Sequence, residues 1–159
     1  NLLVVLEKND QSLKRCFFGK KTNMRAKAME YLERVNLKEH ARTYAKNLSY
    51  GQQKLLEIVR AAAMETELLL LDEPAAGVNP TMLRKIENLI LELKNEGKTI
   101  LIVEHNMPFI MKICQKIIVM ENGKELVTGS PEKIQSDPRV LEAYLGKRKI
   151  TLKTGTGNA

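Results

Sequence analysis

Tryptophan is absent from the chain, and aromatic residues make up only 4% of its 159 positions. The core must therefore be aliphatic, drawn from the Leu, Ile, Val, Met and Ala that dominate a 43% hydrophobic content. Long apolar runs are missing too. None approaches the roughly 18–20 residues that a membrane-spanning helix requires, and no charged-then-apolar segment of the signal type opens the sequence. There are two cysteines, Cys16 and Cys114, far apart and in no metal-ligand spacing. That argues for two reduced thiols of a cytosolic protein over a ligand pair. Acidic residues are in the minority, 19 against 26 basic ones, for a net charge of +7. Nucleic acid or anionic lipid headgroups would each suit such a charge. The basic residues are scattered rather than striped, however, and no aromatics interleave with them, so a soluble basic surface is the simpler reading. The opening Asn1-Leu2-Leu3-Val4-Val5-Leu6 carries no initiator Met, and the expectation is a chain that begins inside a longer protein. No internal repeat is present.

Residues 1–47 read as polar, Lys-rich and helical. Met24 to Val35 places Ala28, Tyr31, Leu32 and Val35 at helical spacing, Lys8 to Lys21 reads as a loop, and Asn36 to His40 as a break before another short helix. Ser49 is a candidate N-cap for a helix over Gln53 to Met64 with a broad apolar face. Leu68-Leu69-Leu70-Leu71 predicts a short, fully buried strand. Asn79-Pro80 predicts a helix start with proline in the first turn, stopping at Gly97. Thr99 to Val103 is a second apolar strand, and Asn106-Met107-Pro108 opens a helix to about Cys114. Lys116–Met120 and Lys124–Thr128 flank Asn122-Gly123, a strong hairpin signal. Ser130-Pro131 and Asp137-Pro138 open two short helices, the second ending at Gly146, before a basic, then Gly/Thr-rich tail. Strands alternating with helices argue for an α/β fold with a parallel sheet built from β-α-β units.

Three places carry chemistry. Asp72 and Glu73 follow the leucine strand, and in open α/β sheets ligands bind beyond the carboxyl ends of the strands. Asp72 is suited to Mg²⁺, which takes one or two carboxylates and fills the rest of its shell with water and phosphate oxygens. Glu73 is a candidate to orient or deprotonate an attacking water. Taken alone, Asp-Glu-Pro is equally an ordinary solvated turn. Ser49, Tyr50, Gly51 and Gln52 occupy a helix N-terminus, where unpaired N–H groups and the positive dipole end favour an anion, and Gly51 would let a phosphate approach the backbone. A capped helix with a tolerated glycine fits the same four residues. His105 follows the second strand and would share an edge with Asp72 if the two strands are neighbours, placed to hydrogen-bond a phosphate oxygen. His40 reads as a surface or satisfied core histidine.

The order and spacing of these elements resemble the ATP-binding subunits of ABC transporters. Leu48-Ser49-Tyr50-Gly51-Gln52 matches the signature motif, with Tyr50 where Gly is more common. Leu68 to Asp72 matches the Walker B strand, Glu73 the catalytic glutamate, Ala75-Ala76-Gly77-Val78-Asn79 the D-loop with Asn79 where Asp is usual, and His105 the switch histidine. The match runs from about residue 1 to 146. Asp72 to Pro80, Val103-Glu104-His105-Asn106-Met107 and Asp137 to Gly146 look like the branched-chain amino acid importer type. Urea or amide importers and the lipopolysaccharide exporter share much of this pattern.

The resemblance implies a partial P-loop NTPase core with a parallel sheet plus a helical subdomain: residues 1–64 helical and ending in the signature helix, 65–146 the C-terminal part of the ATPase core, 147–159 a tail. It implies ATP and Mg²⁺ as ligands, with Asp72 on the metal, Glu73 and His105 catalytic, and Ser49, Tyr50, Gly51, Gln52 and Asn79 binding nucleotide. It implies a second ATP-binding subunit and transmembrane permease subunits as partners, at the cytoplasmic face of the membrane, and no nucleic acid. No Walker A occurs in these residues. The motif needs Gly, four residues, then Gly-Lys-Ser/Thr, and Gly97-Lys98-Thr99 has Glu92 where the first Gly belongs. No adenine-stacking aromatic or Q-loop glutamine can be assigned, Gln11 being in the wrong context. The chain is thus expected to be the C-terminal part of an ABC-type ATPase, inactive alone, with apolar strand surface left exposed. A DNA-repair or translation ATPase of the same superfamily and a non-catalytic permease-docking module are the competing readings.

Overall fold

A computed structural model describes residues 2–9, 20–64 and 66–145. The central part of the loop expected over Lys8 to Lys21, Cys16 and the tail from residue 147 fall outside the described residues. The polar opening contains two helices, α1 (Leu2–Asn9) and α2 (Lys20–Arg34), which pack on each other. Ala28 and Val35 are buried as the helical spacing predicts. Asn36 ends α2 in the left-handed region at φ 56°, and the Leu37 amide donates to the Leu32 carbonyl at 2.8 Å, the way Asn commonly closes a helix. Two single 3₁₀ turns, Lys38–His40 and Ala45–Asn47, stand where one short helix was expected.

Helix α3 (Tyr50–Ala62) buries Leu55, Ile58, Val59 and Ala62. It is followed by β1 (Leu68–Asp72), α4 (Pro80–Asn95) and β2 (Thr99–Val103). The last three form one β-α-β unit: β1 and β2 pair in parallel, from Leu68 opposite Thr99 to Asp72 opposite Val103. Asn79 caps α4 and Pro80 stands at its first position. Gly97, at φ 91°, ends it, with the Lys98 amide returned to the Leu93 carbonyl. Helix α3 packs on β1 and α4, and α4 packs on β2. Their shared core is Leu55, Ile58, Val59, Leu69, Leu71, Ile86, Leu89, Ile90 and Leu93, all buried.

The leucine strand is not buried on both faces. Leu69 and Leu71 are inside, but Leu70 is 64% exposed, and Leu68, Leu101 and Val103 share its open face. Successive strand residues point to opposite faces. Among the described residues the sheet has two strands, and the helices packed on it cover only the Leu69–Leu71 side.

The chain divides into two compact units, Asn1–Asn106 and Met107–Ala159. The second holds α5 (Met107–Ile113), the hairpin β3 (Ile117–Glu121) and β4 (Lys124–Gly129), α6 (Pro131–Ser136) and α7 (Pro138–Leu145). Asn122 and Gly123 both take positive φ, 49° and 77°, as a two-residue hairpin turn of this sequence requires. Phe109, Ile113, Ile117, Val127, Ile134 and Val140 form its core.

Candidate functional site

The parallel register of β1 and β2 brings the residues that follow both strands to one sheet edge. Pairing continues one step beyond Asp72: the Glu73 amide donates to the Val103 carbonyl at 2.9 Å. The chain then turns sharply, with Glu73 at φ 44°. That left-handed conformation costs a residue with a side chain about 1 kcal/mol, so the surroundings must hold it. The Glu73 carbonyl accepts the Ala76 amide at 3.1 Å. The amide before it, that of Ala75, donates to Glu104 Oε1 at 2.8 Å.

Glu104 was not singled out in the sequence, and it is the best-satisfied side chain of the edge. Its side chain is fully buried, with 0% exposure. Oε1 takes the Ala75 amide, and Oε2 takes the amides of His105 at 2.8 Å and Asn106 at 3.0 Å. Burying an ion costs several kcal/mol of hydration. Hydrogen bonds to a charged group return roughly 1.5–3 kcal/mol each, so three of them offset that cost. Strand alternation carries the signal for Glu104: Ile100 and Ile102 turn inward on β2, and position 104 continues that face.

With both loops held, Glu73 Oε1 lies 3.2 Å from His105 Nδ1. A carboxylate only accepts, so a hydrogen bond across this contact needs the proton on Nδ1. The imidazole is 75% exposed, open to a ligand at the edge. Asp72, on the open sheet face, is exposed and has no side-chain partner among the described residues. Among those residues no group of three or more His, Cys, Asp or Glu side chains is arranged to hold a metal ion.

The second cluster is the N-terminus of α3. Ser49 and Gln52 form a capping box: the Ser49 amide donates to Gln52 Oε1 at 2.8 Å, and the Gln52 amide to Ser49 Oγ at 3.4 Å. Gln52 Nε2 also lies 3.3 Å from His40 Nε2, so His40, exposed in keeping with its reading as a surface histidine, braces the cap. The Tyr50 ring is exposed, with Lys54 Nζ 5.8 Å from its centroid. Gly51 sits where the starts of α3 and α4 meet. A Cβ on it would stand 2.5 Å from Met82 Cγ and 3.2 Å from Val78 Cγ1. One on Gly77, at φ 69°, would stand 3.1 Å from Tyr50 Cε1. The 49–52 and 75–79 segments therefore touch within one chain, and the glycine at 51 serves a close approach of protein to protein. Asn79 Oδ1 accepts the Met82 amide at 2.9 Å, so its side chain is engaged as a cap.

Comparison with known proteins bears on the family. A family model described as "ABC transporter" matches residues 2–76, and one described as "Branched-chain amino acid ATP-binding cassette transporter" matches residues 124–150. The chain belongs to the ABC transporter family of ATP-binding proteins. Among curated ABC relatives, it is 46% identical over 122 residues to the high-affinity branched-chain amino acid transport ATP-binding protein LivG of Escherichia coli (strain K12), covering 76% of this chain and 48% of LivG. It is 45% identical over 125 residues to the corresponding protein BraF of Pseudomonas aeruginosa, covering 76% and 49%. The lipopolysaccharide export ATP-binding protein LptB of Haemophilus influenzae is 36% identical over 124 residues, covering 78% and 52%. The chain thus spans about half the length of the curated relatives it matches. Among solved ABC structures, the ADP conformation of MJ1267, an ATP-binding cassette of an ABC transporter, superposes with a TM-score of 0.74 at 31% identity, over 91% of this chain and 61% of that one. A nucleotide-free ATP-binding cassette gives 0.72 at 31% identity, over 90% and 62%.

Proposed function

We propose that the chain is the C-terminal part of the ATP-hydrolysing subunit of an importer for branched-chain amino acids, peripheral to the membrane and working with transmembrane permease subunits. The observation that carries the chemistry is the Glu73–His105 contact at 3.2 Å beside exposed Asp72, at the carboxyl edge of a parallel strand pair. The names of LivG and BraF support the solute class, and so does the family model over residues 124–150. The lipopolysaccharide-export relative is less similar, at 36% identity.

Glu73 would orient the attacking water and accept its proton. His105, held by Glu73 through Nδ1, would present its other ring nitrogen to the terminal phosphate of ATP. The hard oxygen donor of Asp72 suits Mg²⁺, which would supply neutralising charge to the phosphates. Ser49, Tyr50, Gly51 and Gln52 would face nucleotide held by a second ATP-binding subunit, with Asn79 at the same subunit contact. These residues lack the Gly-x-x-x-x-Gly-Lys-Ser/Thr loop, so the 159-residue chain alone should bind ATP weakly and turn it over far below the roughly 1 s⁻¹ at the low end of typical enzymes.

The test is a chimera that joins this chain to the half of E. coli LivG it does not match, expressed in cells lacking LivG. Leucine uptake that Glu73→Gln abolishes is the expected result. A chimera that associates with the membrane, hydrolyses ATP and never supports leucine uptake would overturn the solute class. One that hydrolyses ATP normally with Glu73→Gln would overturn the role of Glu73.

A further inference from the structure

We infer that Glu104 is a positioning residue that sets the Glu73–His105 pair by bridging the two loops that carry it. The inference rests on the proposed reading of that pair as the reacting groups and explains what fixes its geometry. The Glu73 and His105 side chains are both largely exposed. What they share is a buried neighbour. One Glu104 oxygen holds the Ala75 amide in the turn after β1, and the other holds the His105 and Asn106 amides after β2. The first bond pins the turn in which Glu73 adopts its left-handed conformation. The second fixes the backbone from which the imidazole projects. Oε2 also lies 3.7 Å from His105 Nδ1, so the carboxylate backs the same ring nitrogen that faces Glu73.

A carboxylate is the one side chain of this size that accepts at both ends. In Glu104→Gln one end becomes an NH₂ group, a donor, and whichever way the amide turns, one loop loses its acceptor. Glu104→Asp keeps the charge and is shorter by a methylene, so it can serve its own loop but does not span to Ala75.

The experiment uses the full chain without nucleotide, which separates it from any failure of the ATPase reading. Two-dimensional ¹H–¹⁵N spectra at pH about 8.5, where an ordinary imidazole is neutral, report which nitrogen of His105 carries its proton. Amide exchange reports Ala75, His105 and Asn106. The wild-type chain should show the Nδ1–H form and three protected amides. Glu104→Gln should expose one loop's amide to exchange about tenfold faster or more, the loss expected for a charge-assisted bond, and shift His105 toward the Nε2–H form that free imidazole favours. Glu104→Asp should fail to restore the Nδ1–H form. A wild-type chain with unprotected amides or with the Nε2–H form refutes the inference even if the variants do not fold. Protection lost while the tautomer stays fixed would reduce Glu104 to a structural brace. Full rescue by aspartate would show that charge, and not the bridge, is what matters.

Discussion

Replacing Gly51 by alanine adds a methyl group where another side chain already sits. The new Cβ would lie 2.5 Å from Met82 Cγ and 3.2 Å from both Met82 Cβ and Val78 Cγ1. Met82 cannot swing clear by moving its tip alone, because the conflict is at its second carbon and its Cβ. In an unobstructed helix interior the same change stabilises by roughly 0.5–1 kcal/mol, and less in a first turn such as this one. Forcing a methyl into packed space costs typically 1–3 kcal/mol. The net expectation is a loss of about 1 kcal/mol, which lowers the melting temperature of a chain of this size by about 2–4 °C. Thermal unfolding followed by circular dichroism measures it, and a double-mutant cycle with Met82→Ala isolates the cause. With Met82 truncated, Gly51→Ala should become neutral or stabilising. The reasoning fails if Gly51→Ala raises the melting temperature with Met82 intact, or if the penalty persists without the Met82 side chain.

Asn79→Ala should cost about 1 kcal/mol by removing the α4 cap, while Asn79→Asp keeps a side-chain acceptor and should cost far less, both read from chemical denaturation. Leu69→Ala should cost about 2–5 kcal/mol as a core truncation; Leu70→Thr, on the open face of the same strand, should stay within about 0.5 kcal/mol and reduce aggregation measured by light scattering. Hydrogen bonding from the Arg139 side chain holds the Asp137 carboxyl down to about 2, below its ordinary 3.8. A carboxyl lowered in the folded state contributes stability that is complete above its ordinary value and lost as pH falls through about 2; carboxyl-carbon NMR should show that midpoint, and Arg139→Ala should return it towards the ordinary value.

Local signals made much of the fold readable. Asn79-Pro80 announces a capped helix because an Asn side chain can take an orphan amide and proline has none to lose. Gly97 stops it because glycine accepts positive φ, and Asn122-Gly123 closes the hairpin for the same reason. Each of these depends on residues within a few positions of one another. Leu68 to Leu71 gave the strand but not its burial. Four leucines in a row satisfy a two-faced environment, and the structure offers the described strand cover on one face. Asp72, Glu73 and His105 were visible as chemically capable residues at strand ends, whereas Glu104 passed unnoticed between an apolar strand and a more obvious histidine.

The sequence by itself determined where most of the helices and strands lie, that the core is aliphatic, and which polar residues stand at the carboxyl ends of the strands. Tertiary structure alone decided that the two strands, expected to be parallel, are neighbours in a register that carries Glu73 onto His105. It alone buried Glu104 under three amides drawn from two loops, and it filled the space beside Gly51 with Met82. The physical reason is distance along the chain. Caps, turns and alternation are settled between near neighbours. A contact between residues far apart in sequence depends on how whole elements pack, which no short stretch of residues encodes alone.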